Sequence, residues 1–240
     1  MKDYLLDLVQ HTHDLGFIDL IKVVGDDNKT SIVGVPEDVS VIVEAEFKNP
    51  VPEFVGTFGM PNLNKLKILL NLQEYRENAK LTLSRSSAGE PDGINFENQA
   101  GDFKNNYRFM VANVINDKLK TPKFKGATWH IEFEPQAASI MRLKMQAQAN
   151  AEEPNFQART EDGHLKFLFG DHSTHGGNFV FHHDVGGTLK RTWSWPVVQF
   201  TSILSLTGDK TVRISDDGVA KITVDSGLGV YNYFLPAQSK

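Results

Sequence analysis

Residues 135–169 read PQAASIMRLKMQAQANAEEPNFQARTEDGHLKFLF, and this stretch decides the fold. The first part, 135–149, has the periodicity of a helix, with Pro135 placed in its first turn, where a missing N–H costs nothing. Ser139, Arg142, Gln146 and Asn150 form a polar stripe at helical spacing. Phe156 to Arg159 then reads as a strand, Thr160-Glu161-Asp162-Gly163 as a turn, and His164 to Phe169 as a second strand. Asp-Gly between apolar runs signals a hairpin, because glycine adopts positive φ cheaply.

The same order recurs on both sides. Residues 196–206, PVVQFTSILSL, predict a helix with Val197, Phe200 and Leu204 on one face. Val212 to Ile214, the turn Ser215-Asp216-Asp217-Gly218 and Val219 to Val224 complete that copy. Earlier, 61–72 predicts a helix with Leu63, Leu66 and Leu70 inward and Asn64, Lys67 and Asn71 outward. Leu81 to Leu83 follows, then a loop ending Pro91-Asp92-Gly93 and a strand Ile94 to Phe96. The first copy has a helix at 3–14, a strand at 17–24, a turn Gly25-Asp26-Asp27-Asn28 and a strand at 30–35. Alternation in 39–47 adds another strand. Four helix-plus-hairpin units predict an α+β chain with antiparallel sheets, since parallel strands would need helical crossovers. Two units per domain put the boundary in the polar, basic stretch 113–126, giving domains at 1–118 and 127–240 with a linker at 119–126.

Bulk properties narrow the function. The chain has 240 residues, enough for two domains with their own cores, and a net charge of -5. A protein held to nucleic acid by bulk charge is normally basic, so any such contact must come from a local basic surface. There is no cysteine, which excludes disulfides, thiolate metal sites and a cysteine nucleophile, and fits a reducing cytoplasm. No apolar run is long enough to span a membrane, and MKDYLLDLVQ lacks the continuous apolar core of a secretory signal. Neither a phosphate-binding G-x-x-x-x-G-K-[ST] loop nor a G-x-S-x-G elbow occurs.

On these elements the sequence resembles the DNA polymerase sliding clamps, above all those of T-even-type phages, with a fainter likeness to PCNA. The resemblance is carried by Phe54 to Leu72 (FVGTFGMPNLNKLKILLNL), Trp129 to Phe169, and Val219 to Ala237 (VAKITVDSGLGVYNYFLPA). It implies a DNA-clamp fold of two similar domains, each with two helices packed on antiparallel sheets. It further implies a homotrimeric ring around duplex DNA that tethers the polymerase, is placed on DNA by a clamp loader, and has no catalytic activity and no cofactor. The implied location is the cytoplasm, through the phage clamps that of an infected bacterium. Lys65, Lys67, Arg142 and Lys144, joined by Lys190 and Arg191, are the matching candidates for DNA phosphates. Ile115, Leu119 and Phe124 in the linker, with Phe234, Leu235 and Pro236 at the end, match the apolar pocket between domains that receives partner peptides.

One helix departs from this pattern. Its polar positions Asp3, Asp7, Gln10 and Asp14 are mostly acidic, which a DNA-facing helix should not be. Rival readings attach to other residues. DHSTHGGNFVFHHD gathers Asp171, His172, His175, His182, His183 and Asp184, a ligand set that suits zinc, iron or manganese in a β-rich, cupin-like enzyme. Adjacent His182 and His183 would face opposite sides of a strand, so only one could join such a site. A histidine-rich polar hairpin is the simpler account, and no metal site is assigned. Glu152-Glu153 and Asp216-Asp217 read as solvated turn residues. A viral structural protein would also fit an acidic surface and helix-hairpin repeats.

Overall fold

A computed structural model describes residues 1–120, 126–170 and 175–238. The chain divides into two compact units: Met1–Pro122 with Ser226–Tyr231, and Lys123–Asp225 with Asn232–Lys240.

The first unit runs α1 (Lys2–His11), β1 (Leu20–Gly25), β2 (Thr30–Gly34), β3 (Ile42–Phe47), β4 (Gly56–Pro61), α2 (Leu63–Asn71), β5 (Lys80–Arg85), β6 (Pro91–Glu97), β7 (Lys104–Arg108), β8 (Met110–Val111) and α3 (Ala112–Lys118). Its first sheet orders β8-β4-β1-β2-β3 and its second β5-β6-β7, with antiparallel pairings throughout the described strands. The strand that precedes α2 therefore lies in one sheet while the strand that follows lies in the other. The helix carries the chain across, and α1 packs beside it.

The second unit repeats this arrangement with β9 (Ile131–Phe133), α4 (Ala137–Ala149), β10 (Asn155–Glu161), β11 (His164–Phe169), β12 (Gly177–His182), β13 (Trp193–Pro196), α5 (Val197–Leu204), β14 (Asp209–Ser215), β15 (Val219–Asp225) and, from Asn232 on, β16 (Gly229–Pro236), whose first three residues count with the first unit. One sheet orders β12-β11-β10-β13, and the other contains β16-β15-β14-β9. Here too the strand before each helix joins the sheet of the other repeat, β9 to β14 and β13 to β10.

Burial explains why these segments take these forms. In α2, Leu63, Leu66, Leu69 and Leu70 form the inward stripe, and Asn62 caps the helix by accepting from the Lys65 amide at 3.1 Å. In α5, Val197, Phe200, Ile203 and Leu204 are buried, as the spacing predicts. β11 buries Leu165, Phe167 and Phe169 at every second position. Phe156, Phe167, Phe181 and Phe200 then meet one another at ring-centroid distances of 4.3–5.8 Å in the core between helices and sheet.

The two Asp-Gly turns behave differently. Asp162 and Gly163 both take positive φ (51° and 78°), the two-residue hairpin turn that matches strand twist. The later turn spends three residues, Asp216 to Gly218, with only Gly218 left-handed (φ 80°).

Several boundaries differ from the sequence reading. α4 starts at Ala137 with Gln136 as its cap, so Pro135 lies outside the first turn. β1 begins at Leu20 and β3 at Ile42, because Val39 sits at φ 53° and breaks the run. Pro91-Asp92-Gly93 is inside β6; the chain reverses earlier, at Ser86 to Glu90. Asp92 is held there by Ser84 and Arg108, which makes it a strand residue. The strands β7, β8 and β13 are not among those the sequence predicts, and residues 113–118, part of the stretch read as a linker, belong to the helix α3, fastened by the buried Ile115 against Gly59 of β4.

Candidate nucleic-acid interface

The helices offer the surfaces on which the predicted phosphate contacts fall. On α2, Lys65 is exposed at the first turn, beside a cleft with Asn95, Lys104 and Asn106. Lys67 is half-exposed, and its ammonium lies 2.8 Å from the Asp14 carboxylate. That pair explains part of the acidic character of the first helix: Asp14, just past α1, offsets a lysine on its neighbour.

Asp7 corrects the reading of α1 further. It is buried, not outward. Its carboxylate accepts from the Tyr231 hydroxyl at 2.7 Å and the Ser226 hydroxyl at 3.0 Å, with His11 Nδ1 at 3.3 Å. Burying a carboxylate without partners would be costly, and these donors satisfy it. The exposed positions of this helix are Asp3, Leu6 and Gln10.

On α4, Arg142 and Lys144 are exposed. The Arg142 guanidinium sits 5.3 Å from the centre of the Phe179 ring and donates to the Val180 carbonyl at 3.4 Å. The polar stripe predicted on this helix is split: Ser139 and Asn150 are buried with Leu143, and Asn150 bonds the Gln146 side chain. Outward, the helix shows Met141 and Met145, 54% and 60% exposed. On α5 the most exposed side chain is Val198 at 65%, and the helix carries no charged residue.

Lys190 and Arg191 lie on an exposed loop before β13, and their backbone amides donate to the Asp216 carboxylate at 3.0–3.2 Å. Asp216 and Asp217 do sit in the turn, half-buried and exposed, and in addition each ties down another segment: Asp217 accepts from the Thr128 amide at 3.3 Å. Together they tie two incoming segments to the β14–β15 turn. Nothing in the sequence spacing pointed to this role, because the partners are 25 and 26 residues away for Asp216 and 89 for Asp217.

Of the residues predicted for partner peptides, Ile115 and Leu119 are buried in the first unit, and Phe234 and Leu235 in the second; Pro236 is half-buried. Leu235 also accepts from the indole of Trp195 through its carbonyl at 3.1 Å. Phe124 lies outside the described residues.

The histidines do not converge. Asp171 and His172 lie outside the described residues, and His175 is exposed. His182 stacks on Phe133 at 4.7 Å, while His183 turns to the edge of His164 at 4.8 Å, so the adjacent pair does diverge. Burial, helped by neighbouring His183 and opposed by Asp184, pulls the His182 pKa below its ordinary value. Among the described residues no group of three or more ligating side chains could hold a metal ion. Nor is any described helix long and apolar enough to cross a membrane.

No protein-family model and no curated protein matches the sequence. Solved structures do match, over the whole chain. PCNA from Thermococcus kodakaraensis superposes with a TM-score of 0.68 at 13% identity, covering 99% of this chain and 97% of the other. A. fulgidus PCNA, solved with the C-terminal region of FEN-1 bound, gives 0.69 at 9% identity, covering 100% and 95%. The chain, built from two units that each repeat one helix-crossed sheet pattern, has the sliding-clamp fold of PCNA.

Proposed function

We propose that this protein is a sliding clamp: a homotrimeric ring that encircles duplex DNA and holds the replicative polymerase at the primer end. The observation that carries the reading is the likeness of fold to PCNA over 99–100% of this chain. The mechanism is tethering. A ring linked topologically to DNA raises the local concentration of whatever it holds and needs no chemistry of its own. Closure of three two-domain chains gives a ring without open ends.

Sliding sets the nature of the DNA contacts. Base-edge hydrogen bonds would pin the ring at particular sequences, whereas phosphate contacts carry no sequence information. Lys65, Lys67, Arg142 and Lys144 on α2 and α4 are of that kind, with Lys190 and Arg191 on a loop. Partner peptides, like the FEN-1 segment bound to A. fulgidus PCNA, are proposed to use the segment around Leu119 and Phe124 and the tail Phe234 to Pro236.

The test combines mass and topology. Light scattering on a size-exclusion column should give ~80 kDa, three chains of 26.8 kDa, falling on dilution if the ring opens. Loaded protein should stay on circular DNA and run off after linearisation. A monomer at every concentration, or equal retention on linear and circular DNA, would sink the reading.

A further inference from the structure

We propose that residues 183–192, the loop from β12 to β13, form an acid-released strap, held shut at both ends through two imidazoles, His164 and His130, that grip only while unprotonated. The proposal concerns the second unit alone and does not depend on the clamp reading.

The loop has no secondary structure, yet it is tied along its length. At its start the Asp184 amide donates to His164 Nδ1 at 3.2 Å, and the Val185 amide to the Gly163 carbonyl at 2.9 Å. At its end the Leu189 amide donates to the Thr160 hydroxyl at 2.9 Å, and the Lys190 and Arg191 amides reach the Asp216 carboxylate at 3.0–3.2 Å. Asp216 is itself positioned through its own amide, which donates to His130 Nδ1 at 3.1 Å. Between the two ends, Gly187 lies so close to the His130 carbonyl that a Cβ there would stand 1.7 Å from the oxygen.

Both histidines therefore serve the loop in the same way, with Nδ1 accepting from a backbone amide. A ring nitrogen accepts only while it carries no proton, so the neutral rings hold theirs on Nε2. A proton added at Nδ1 sets one N–H against another, and each amide loses its acceptor. The nearest new acceptors pull the ties apart. His164 Nδ1 is 3.8 Å from the Asp184 carboxylate, and that pair tightens only if the turn at Asp184 moves. Asp184 is 92% exposed and held at φ 52°, a strained backbone that relaxes when its tie goes. The Asp216 carboxylate is taken up by the Lys190 and Arg191 amides, so a charged His130 that turned to it would displace them.

The other charges around the two rings are already committed or turned to water. Glu161, the cross-strand partner of His164, is bonded by Lys166 and lies 3.7 Å from Arg159; Asp162, at the hairpin tip, is exposed. His183 stands edge-on to His164 at 4.8 Å and brings further positive charge on acidification, while His182 stacks away on Phe133. Near His130, Glu132 is paired with Arg213 at 2.8 Å, and Asp217 accepts from the Thr128 amide. Gly186 and Gly187 give the freed loop a hinge, and release detaches Lys190 and Arg191 from the β14–β15 turn.

The chain has no cysteine, so Thr188→Cys, at an exposed position in the loop, takes a single nitroxide label on the full-length protein. Its electron paramagnetic resonance spectrum should be immobilised at about pH 8 and become mobile, reversibly, as the pH falls towards about 5. Adding His130→Asn/His164→Asn places an amide oxygen near each Nδ1 position; it accepts at every pH, so the label should stay immobile throughout. Adding His130→Leu/His164→Leu removes both acceptors and should leave the label mobile already at about pH 8. Circular dichroism at each pH follows the sheets. A transition that persists in the Asn variant overturns the proposal, because other groups would then release the loop. So does a label that is mobile at both ends of the range or immobile at both, and so does loss of the whole fold before the label moves.

Discussion

The two units share a topology and reach it with different chemistry. The second fills its core with a cluster of phenylalanines, Phe156, Phe167, Phe181 and Phe200, under an uncharged α5. The first divides its aromatic contacts between two groups, Tyr75 with Phe96 and Phe103, and Phe58 with Phe54 and Phe109, packs leucine, isoleucine and valine around them, and buries a carboxylate at Asp7. The lesson is that the helix-crossed sheet pattern demands apolar volume at fixed places and leaves its source open. What the helices show outward is then free to differ: α1 exposes Asp3, Leu6 and Gln10, whereas α4 exposes Met141, Arg142, Lys144 and Met145.

The largest expected effect tests the aromatic half of this contrast. Phe167 is fully buried and touches Phe156, Phe179, Phe181 and Phe200. Phe167→Ala should cost about 4 kcal/mol, a cavity plus lost ring contacts. Tyr75→Ala in the first unit should cost about 3 kcal/mol, with Phe96 and Phe103 as ring neighbours and Asn105 Nδ2 donating to its hydroxyl at 2.9 Å. Urea unfolding measures both. A costlier Tyr75→Ala would show that the first unit depends on its separate aromatic groups more than the second does on its one large cluster.

The next effect compares two aspartates that both read as solvent-facing in the sequence. Asp7→Ala strips the acceptor from two hydroxyls, those of Ser226 and the buried Tyr231, and should cost about 2–3 kcal/mol. Asp216→Ala leaves two backbone amides that are exposed enough to turn to water, and should cost about 1 kcal/mol. Equal costs in a urea titration would mean that burial is not what separates the two ties.

These pairs also show where sequence reasoning stops. The periodicity of Leu63, Leu66 and Leu70, or of Leu165, Phe167 and Phe169, is local, and it predicted helix and hairpin correctly. Asp-Gly at 162–163 carried its turn type in two residues. By contrast, Asp7 looked like a polar helix position because its partners, Ser226 and Tyr231, lie at the other end of the chain. Asp216 read as a turn residue because its ties come from Lys190 and Arg191. The Asp14–Lys67 pair, which changes the meaning of both charges, spans two helices. The basic side chains on the helices were nameable from the sequence; which of them are already neutralised depended on long-range packing.

The smallest expected effect concerns a stacked histidine. Among the described residues each unit lays an imidazole on an aromatic ring, His11 on Tyr231 at 4.5 Å and His182 on Phe133 at 4.7 Å. For His182, burial holds the folded-state pKa below the ordinary histidine value, with His183 adding to the effect and Asp184 opposing it. As pH falls below about 6.5, the unfolded chain takes up this proton before the folded one does, so stability is lost. Above that value both states are neutral and the contribution is fully present. The difference in stability between wild type and His182→Gln should therefore be flat from about pH 8 to 7 and shrink as the pH is lowered towards 5. Urea titrations across that range measure it, and taking the difference removes the slope due to other histidines. Parallel curves would show that His182 is hydrated enough to titrate alike in both states, so the stack on Phe133 would not exclude water from the ring.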